Sequence, residues 1–336
     1  MYLRYGDPSW ESAEGSDASA APTAANKRKP TDARGDQPRR FPSVVLWGVR
    51  LDSITEAQCI GHILDELDAG RGGMLVTPNL DHLQRCTKNL AFGALVAEAD
   101  LVFTSNRGEN TVGLFTTADV PRVEKIPVGI RPNGLAYDPG RARLLVAHVG
   151  DPAIAGSFTV SIVDVRARKR VADVSVPGRT RWAVYDAVTD AFHVNIADPP
   201  QIIVVESGDP VRIRRQVAIP HAGPHGLDID TRSRRLFCAC DAGVLAAVDA
   251  DTGKLLEWHS IAGVPDVIFF NRGLGRLYVA IGDPGLIEIF DTGSMARRET
   301  IPTEAGAHTL SFDATRNIVC AFLPATHRAA VYEDRA

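Results

Sequence analysis

The chain of 336 residues contains no run of 18 or more apolar residues, so no transmembrane helix is expected. It has five cysteines, an odd number without framework spacing, which fits a reducing compartment better than a disulfide scaffold. It lacks a strong charge excess: 37 Lys and Arg against 41 Asp and Glu give a net charge of −4. That argues against general binding of nucleic acid or an anionic membrane surface. Where a signal peptide needs an apolar stretch, the N-terminus carries Asp7, Trp10, Glu11 and Glu14. A cytoplasmic location is the expectation. Missing too are a Gly-x-Ser-x-Gly elbow, a phosphate-binding loop and a His-Glu-x-x-His helix, so the common signatures of hydrolases, nucleotide-binding proteins and zinc proteases do not apply.

What is present is repetition. Five runs share one shape: Arg131-Pro-Asn-Gly-Leu-Ala-Tyr-Asp138, Thr180-Arg-Trp-Ala-Val-Tyr-Asp186, Gly223-Pro-His-Gly-Leu-Asp-Ile-Asp230, Val264-Pro-Asp-Val-Ile-Phe-Phe-Asn271 and Gly306-Ala-His-Thr-Leu-Ser-Phe-Asp313. Each has a turn-forming lead-in, a polar residue, an apolar strand, then Asp or Asn. A second apolar strand follows each. Strands of this second kind start at 101, 144, 192, 236, 277 and 318, with spacings of 43, 48, 44, 41 and 41 residues. A period of about 40 to 50 residues with several strands per unit predicts a β-propeller. Six inner strands predict about six blades, with seven inside the error of strand boundaries. The apolar fraction of 45% supports a sizeable core.

Three regions follow from this reading. Residues 1–42 lack periodicity and are rich in Ala, Ser, Asp and Pro, with a basic cluster at Lys27, Arg28, Lys29, Arg34, Arg39 and Arg40. They read as a disordered, solvated tail. Residues 43–100 read as a small βαβα segment. Ser43 to Val49 is a buried-type strand, Asp52 or Ser53 caps a helix through Leu67, and Met74 to Thr77 is a second strand. Residues 101–336 carry the repeats.

The middle region resembles the WecG/TagA/CpsF glycosyltransferases. The resemblance rests on Trp47-Gly48-Val49, Asp52 and Thr55, then Val76-Thr77-Pro78-Asn79 with Asp81, then Ala97-Glu-Ala-Asp100-Leu-Val. It implies transfer of an N-acetylated amino sugar from UDP to a lipid-linked acceptor. It would place Thr77, Asn79 and Asp81 at the nucleotide-sugar end of the sheet. The family pattern then continues to an Asp-Gly pair whose Asp is the implied catalytic base. Here Ser105 and Asn106 follow Leu101-Val-Phe-Thr104, so catalysis by this segment is not expected.

The repeat region resembles YVTN-type propellers, on Ser105-Asn106, Asn110-Thr-Val, Lys125-Ile-Pro-Val-Gly129 and Val248-Asp-Ala-Asp-Thr-Gly253. That resemblance implies a binding or surface-layer module, in a family that is generally seven-bladed and often exported. The first blade here lacks an innermost strand and the last lacks an outer one. Ser43–Val49 or Met74–Thr77 is expected to supply the missing strand, because closure removes sheet edges.

Alignment of the five runs puts Asn133, Arg181, His225, Asp266 and His308 at one position. They should ring one mouth of the axial channel and form a binding site for a small molecule or a protein partner. Arg181 and Asp266 stand two steps apart, each without a close partner. An anionic molecule would pair with Arg181. No cofactor is implied, except that His225, Asp266 and His308 could hold a divalent metal. Asp266 is expected to face water, so Asp266→Asn should cost little stability. Pro-Asn133-Gly and Pro-Asp266 are also similar to regucalcin/gluconolactonase-type lactonases, which implies a metal-dependent hydrolase as the alternative, though no matching Glu is evident. Cys238 and Cys240 read as small core residues. His148, His193, His221 and His327 follow no repeat position and read as turn or surface residues.

Overall fold

The computed structural model describes residues 2–4, 47–48, 75–76, 101–116, 123–314, 316–326 and 328–335. Six antiparallel sheets of three or four strands succeed one another, and the fold is a β-propeller. The first blade has three strands: Leu101–Asn106, Thr111–Thr116 and Val123–Pro127. Four complete blades follow, each running outward in chain order. Their innermost strands are Pro132–Asp138, Thr180–Asp186, Pro224–Asp230 and Pro265–Asn271. The sixth has a shorter innermost strand, Leu310–Asp313, then Ile318–Leu323 and Arg328–Glu333.

The burial pattern explains why the sequence reads as it does. The second and third strands of a blade are covered on both faces by neighbouring blades. Ala191–Ile196 and Arg276–Ile281 are buried at every position, so these strands are near-continuous apolar runs. Outer strands cover only one face. Leu255–Ser260 alternates partly buried and exposed residues along its length, the period-two signature of a half-buried strand.

Polar latches join adjacent blades at the end where the innermost strands finish. An arginine at the start of a second strand reaches the next blade three times. Arg143 donates to the Ser207 carbonyl, Arg235 to the Thr292 carbonyl and Arg276 to the Arg335 carbonyl. The Asp or Asn closing three of the repeats joins in. Asp138 accepts from Ser207, Asp186 from Arg234 at 2.7 Å, and the Asn271 amide donates to Asn317 at 3.0 Å. These contacts fix the angle between blades and hence the spacing of the innermost strands at the opposite end.

Two expectations change. The outer strand of the sixth blade is Tyr2–Arg4, paired antiparallel with Arg328–Glu333. It comes from the segment read as a strandless tail. The two strands expected to do this pair with each other instead, in parallel, Trp47 with Leu75 and Gly48 with Val76. Parallel pairing is what a βαβ crossover requires. The rest of the tail and of residues 43–100, including Thr77, Asn79 and Asp81, lies outside the described residues. Among the described residues, no helix is long and apolar enough to cross a membrane.

Candidate ligand site at the channel mouth

The site begins with a backbone irregularity. In four successive innermost strands the ladder to the second strand slips at the same place: between Pro132 and Leu135, Thr180 and Ala183, Pro224 and Gly226, and Pro265 and Ile268. The skipped positions contain Asn133, Arg181, His225 and Asp266. A bulge frees a residue from the pleat and turns its side chain. Three of these residues follow a proline, which donates no ladder hydrogen bond. The strands also crowd here. A Cβ on Gly226 would sit 2.5 Å from the Asp266 carbonyl oxygen, and one on Gly134 2.5 Å from that of Arg181, so glycine lets neighbouring backbones approach.

These four side chains line one pocket of about 110 Å³ together with Arg107, Gly134, Val149, Arg179 and Trp182. His308 is not in the lining. It precedes its strand by two residues and stands behind Asp266, on the carboxylate's other oxygen.

The groups are tied into a chain. Asp241 Oδ1 lies 2.7 Å from His225 Nδ1. His225 Nε2 lies 3.0 Å from Asp266 Oδ1, and Asp266 Oδ2 lies 2.6 Å from His308 Nδ1. Trp182 Nε1 also donates to Asp266 Oδ1, at 3.4 Å. Arg181 reaches Asp241 at 3.3 Å and His225 Nε2 at 3.1 Å. Arg181 and Asp266 therefore both have close partners, contrary to the expectation from their separation around the ring. Asp241 supplies one that the repeat alignment did not reveal.

Charge follows from this wiring. Burial works to depress the basicity of His225, but the carboxylates of Asp241 and Asp266 outweigh it and raise its pKa. Burial works to raise Asp266, yet the bonds from His225 and His308 hold it well below the usual carboxylate range. Asp241 is also lowered, burial being outweighed chiefly by His225. Arg181 and Arg107 are pulled down by burial and then by the positive charge of Arg179 nearby.

The expected metal set does come together, but as a carboxylate held between two imidazoles. Among the described residues, no three His, Cys, Asp or Glu side chains are grouped to hold a metal ion. Two of the other histidines also differ from expectation. His148 and His193 are buried strand residues. His148 Nε2 accepts from the Gly129 N–H at 3.1 Å, and burial pushes its pKa down to about 4. His221 packs its ring on Trp258, and His327 lies outside the described residues. Cys238, Cys240 and Cys320 are buried, as small core residues should be.

Sequence reasoning missed Arg107, Arg179 and Trp182. Arg179 had a signal: it occupies the same lead-in position, two before the site residue, as Arg131. Arg107 had none, because it comes from a hairpin of the first blade, which has no innermost strand among the described residues.

The fold and site thus define a β-propeller with a polar pocket at one mouth of its channel. Residues 44–126 match the glycosyl transferase WecG/TagA/CpsF family. The match covers about a quarter of the chain and runs on through the strands of the first blade. No curated protein matches. Among solved structures, a functionally unknown protein from Desulfotomaculum acetoxidans DSM 771 is similar, with TM-score 0.60 and 10% identity over 71% of this chain and 81% of that one. Kuenenia stuttgartiensis hydrazine synthase is similar with TM-score 0.50 and 12% identity over 71% of this chain and 94% of that one. The Cps50 (Swd1) β-propeller domain of Myceliophteria thermophila has TM-score 0.49 and 13% identity over 70% and 94%. At such identities the likeness concerns the fold. With 1718 solved chains matching, the fold alone does not select a function.

Proposed function

We propose that the chain is a binding module whose ligand occupies the channel-mouth pocket and leaves it chemically unchanged. The observation that carries this is the four consecutive bulges, which turn Asn133, Arg181, His225 and Asp266 into one pocket. A ladder defect repeated at one position in four blades concentrates polar groups where a ligand can meet them. The groups that could act as general bases are already engaged. Both ring nitrogens of His225 and both oxygens of Asp266 have partners within the chain. That favours recognition over proton transfer. The resemblance to YVTN-type propellers supports the same reading. The test is a thermal-shift screen of the full chain against small metabolite-like compounds, repeated with Asn133→Leu. Protectors of the parent should fail on the variant. Protection that survives the substitution, or turnover of the bound compound, would remove the reading.

A second reading rests on the WecG/TagA/CpsF match: transfer of an N-acetylated amino sugar by the segment before the propeller. The last part of the match, from Leu101 on, is propeller sheet, and the implied catalytic Asp is absent. Consumption of a UDP-N-acetylamino sugar by the parent protein would establish transfer. No turnover is the expected outcome.

A further inference from the structure

The pocket holds more cation than the chain itself compensates. Arg107, Arg179 and Arg181 all line it, against the single carboxylate of Asp266. Arg181 is bound on its outer nitrogens by Asp241 and His225, while its buried Nε has no partner. Arg107 is half-buried beside Arg179 and Arg131, whose charges, after burial itself, disfavour its own. Arg107 and Arg181 are partly withdrawn from water, and the exposed Arg179 beside them adds like-charge repulsion. A folded chain keeps such an arrangement at a cost in stability, which an oxyanion would offset. The guanidinium fork matches a carboxylate or phosphate with two parallel N–H···O bonds. The remaining lining, Val149, Gly134 and Trp182, is apolar in body. It suits the short carbon frame of an organic acid better than bare phosphate. The volume of about 110 Å³ takes a group of several atoms, since a single water needs only about 10–15 Å³ on such a measure.

Building on the binding-module reading, we infer that the ligand is a small organic carboxylate, held by Arg107 and Arg179 in the pocket lining, with the charge of Arg181 beside them. Arg107 and Arg179 act as the specificity residues, because they sit in the lining and their charge is not answered within the pocket. Asp266, itself in the lining, turns away more highly charged anions.

The experiment is calorimetric titration of the full chain with malonate, with malonamide as its uncharged analogue and with inorganic phosphate. It is done on the parent and on Arg107→Gln and Arg179→Gln. Malonate should bind, malonamide should not, and phosphate should bind more weakly than malonate. Each substitution should weaken malonate by about tenfold or more, the loss of one charge-assisted pair. Circular dichroism should show both variants folded, because neither arginine joins a blade latch. Equal binding of malonate and malonamide, unchanged affinity in both variants, or phosphate binding tighter than malonate would overturn the assignment. If neutral compounds protect the parent and depend on Asn133 while malonate does not bind up to tens of millimolar, the carboxylate class fails and the binding pocket stands. If nothing protects, both readings fail.

Discussion

His225 Nε2 lies 3.0 Å from a carboxylate oxygen of Asp266 and 3.1 Å from a guanidinium nitrogen of Arg181. One ring nitrogen cannot serve both. If it carries a proton, it donates to Asp266 and meets Arg181 as a like charge. If it is bare, it accepts from Arg181 and faces the Asp266 lone pairs. Nδ1 is committed to Asp241 in either case, so the proton on Nε2 decides which neighbour is satisfied. Two carboxylates against one guanidinium favour the protonated ring, which agrees with the raised pKa.

The first prediction follows from that sign. A histidine whose folded pKa is raised contributes stability that is fully present below its unfolded value of about 6.5 and is lost as pH rises through the folded pKa. The melting temperature of the parent should exceed that of His225→Gln most at pH 5.5 to 6.5, and the gap should shrink toward pH 8 to 9. A gap that widens with pH would mean the neutral ring is the native form.

The second concerns Asp266, which lines the pocket but is held there by partners within the chain. It accepts from Trp182 and meets both His225 and His308. Asp266→Asn leaves His225 without one carboxylate and should cost about 2 kcal/mol in urea unfolding at pH 7. Because the folded pKa is depressed, the stabilisation is present above the unfolded value of about 3.9 and is lost as pH falls through the lower folded value. Parent and variant should therefore converge in acid. A loss under about 0.5 kcal/mol at pH 7 would show that the carboxylate is solvated after all.

A third prediction runs the other way. Asp228, three residues further along the same strand as His225, accepts the backbone N–H groups of Phe270 at 2.7 Å and Ile229 at 2.8 Å. Burial still pushes its carboxyl up to about 6. The folded state then binds this proton more tightly than the unfolded one, so stability falls as pH rises from about 4 through 6. Asp228→Asn should remove that slope and raise stability at pH 7.5 by about 1 kcal/mol. Stability curves of equal slope for parent and variant would refute it.

The blades were legible because burial on both faces writes continuous apolar runs, and the repeat spacing counts them. The ring alignment was legible because an Asp or Asn closes each innermost strand five positions after the site residue, and three of these, Asp138, Asp186 and Asn271, are held to the next blade. That rule worked for Asn133, Arg181, His225 and Asp266. It misplaced His308, where the ladder begins only at Leu310. What could not be read was any contact set by the approach of two blades. Asp241 reaches Arg181 across 60 positions, and Arg107 enters the pocket from a hairpin with no repeat register. The pairing of Tyr2–Arg4 with the last blade is likewise non-local and too short for a pattern.

The last prediction concerns the latch between the fifth and sixth blades. Asp334, just beyond the final strand, is buried and receives the Arg276 guanidinium on one oxygen and the Tyr278 hydroxyl, at 2.7 Å, on the other. Tyr278 in turn accepts from the Asn271 amide at 2.9 Å, so the latch runs back to the residue that closes the innermost strand of the fifth blade. Arg276 Nε, also buried, has no partner, which makes the cation depend on Asp334 and on the Arg335 carbonyl. Removing only the acid strands a buried charge, whereas removing both charges does not. Asp334→Asn should cost about 3 kcal/mol, and adding Arg276→Met should restore part of it. The double-mutant cycle should then give a coupling energy above about 1 kcal/mol. The loss should open the last blade first, with amide exchange rising in Ile318–Leu323 before Arg235–Cys240. Additive single effects, or exchange that rises uniformly through all blades, would show that the pair does not act as a latch.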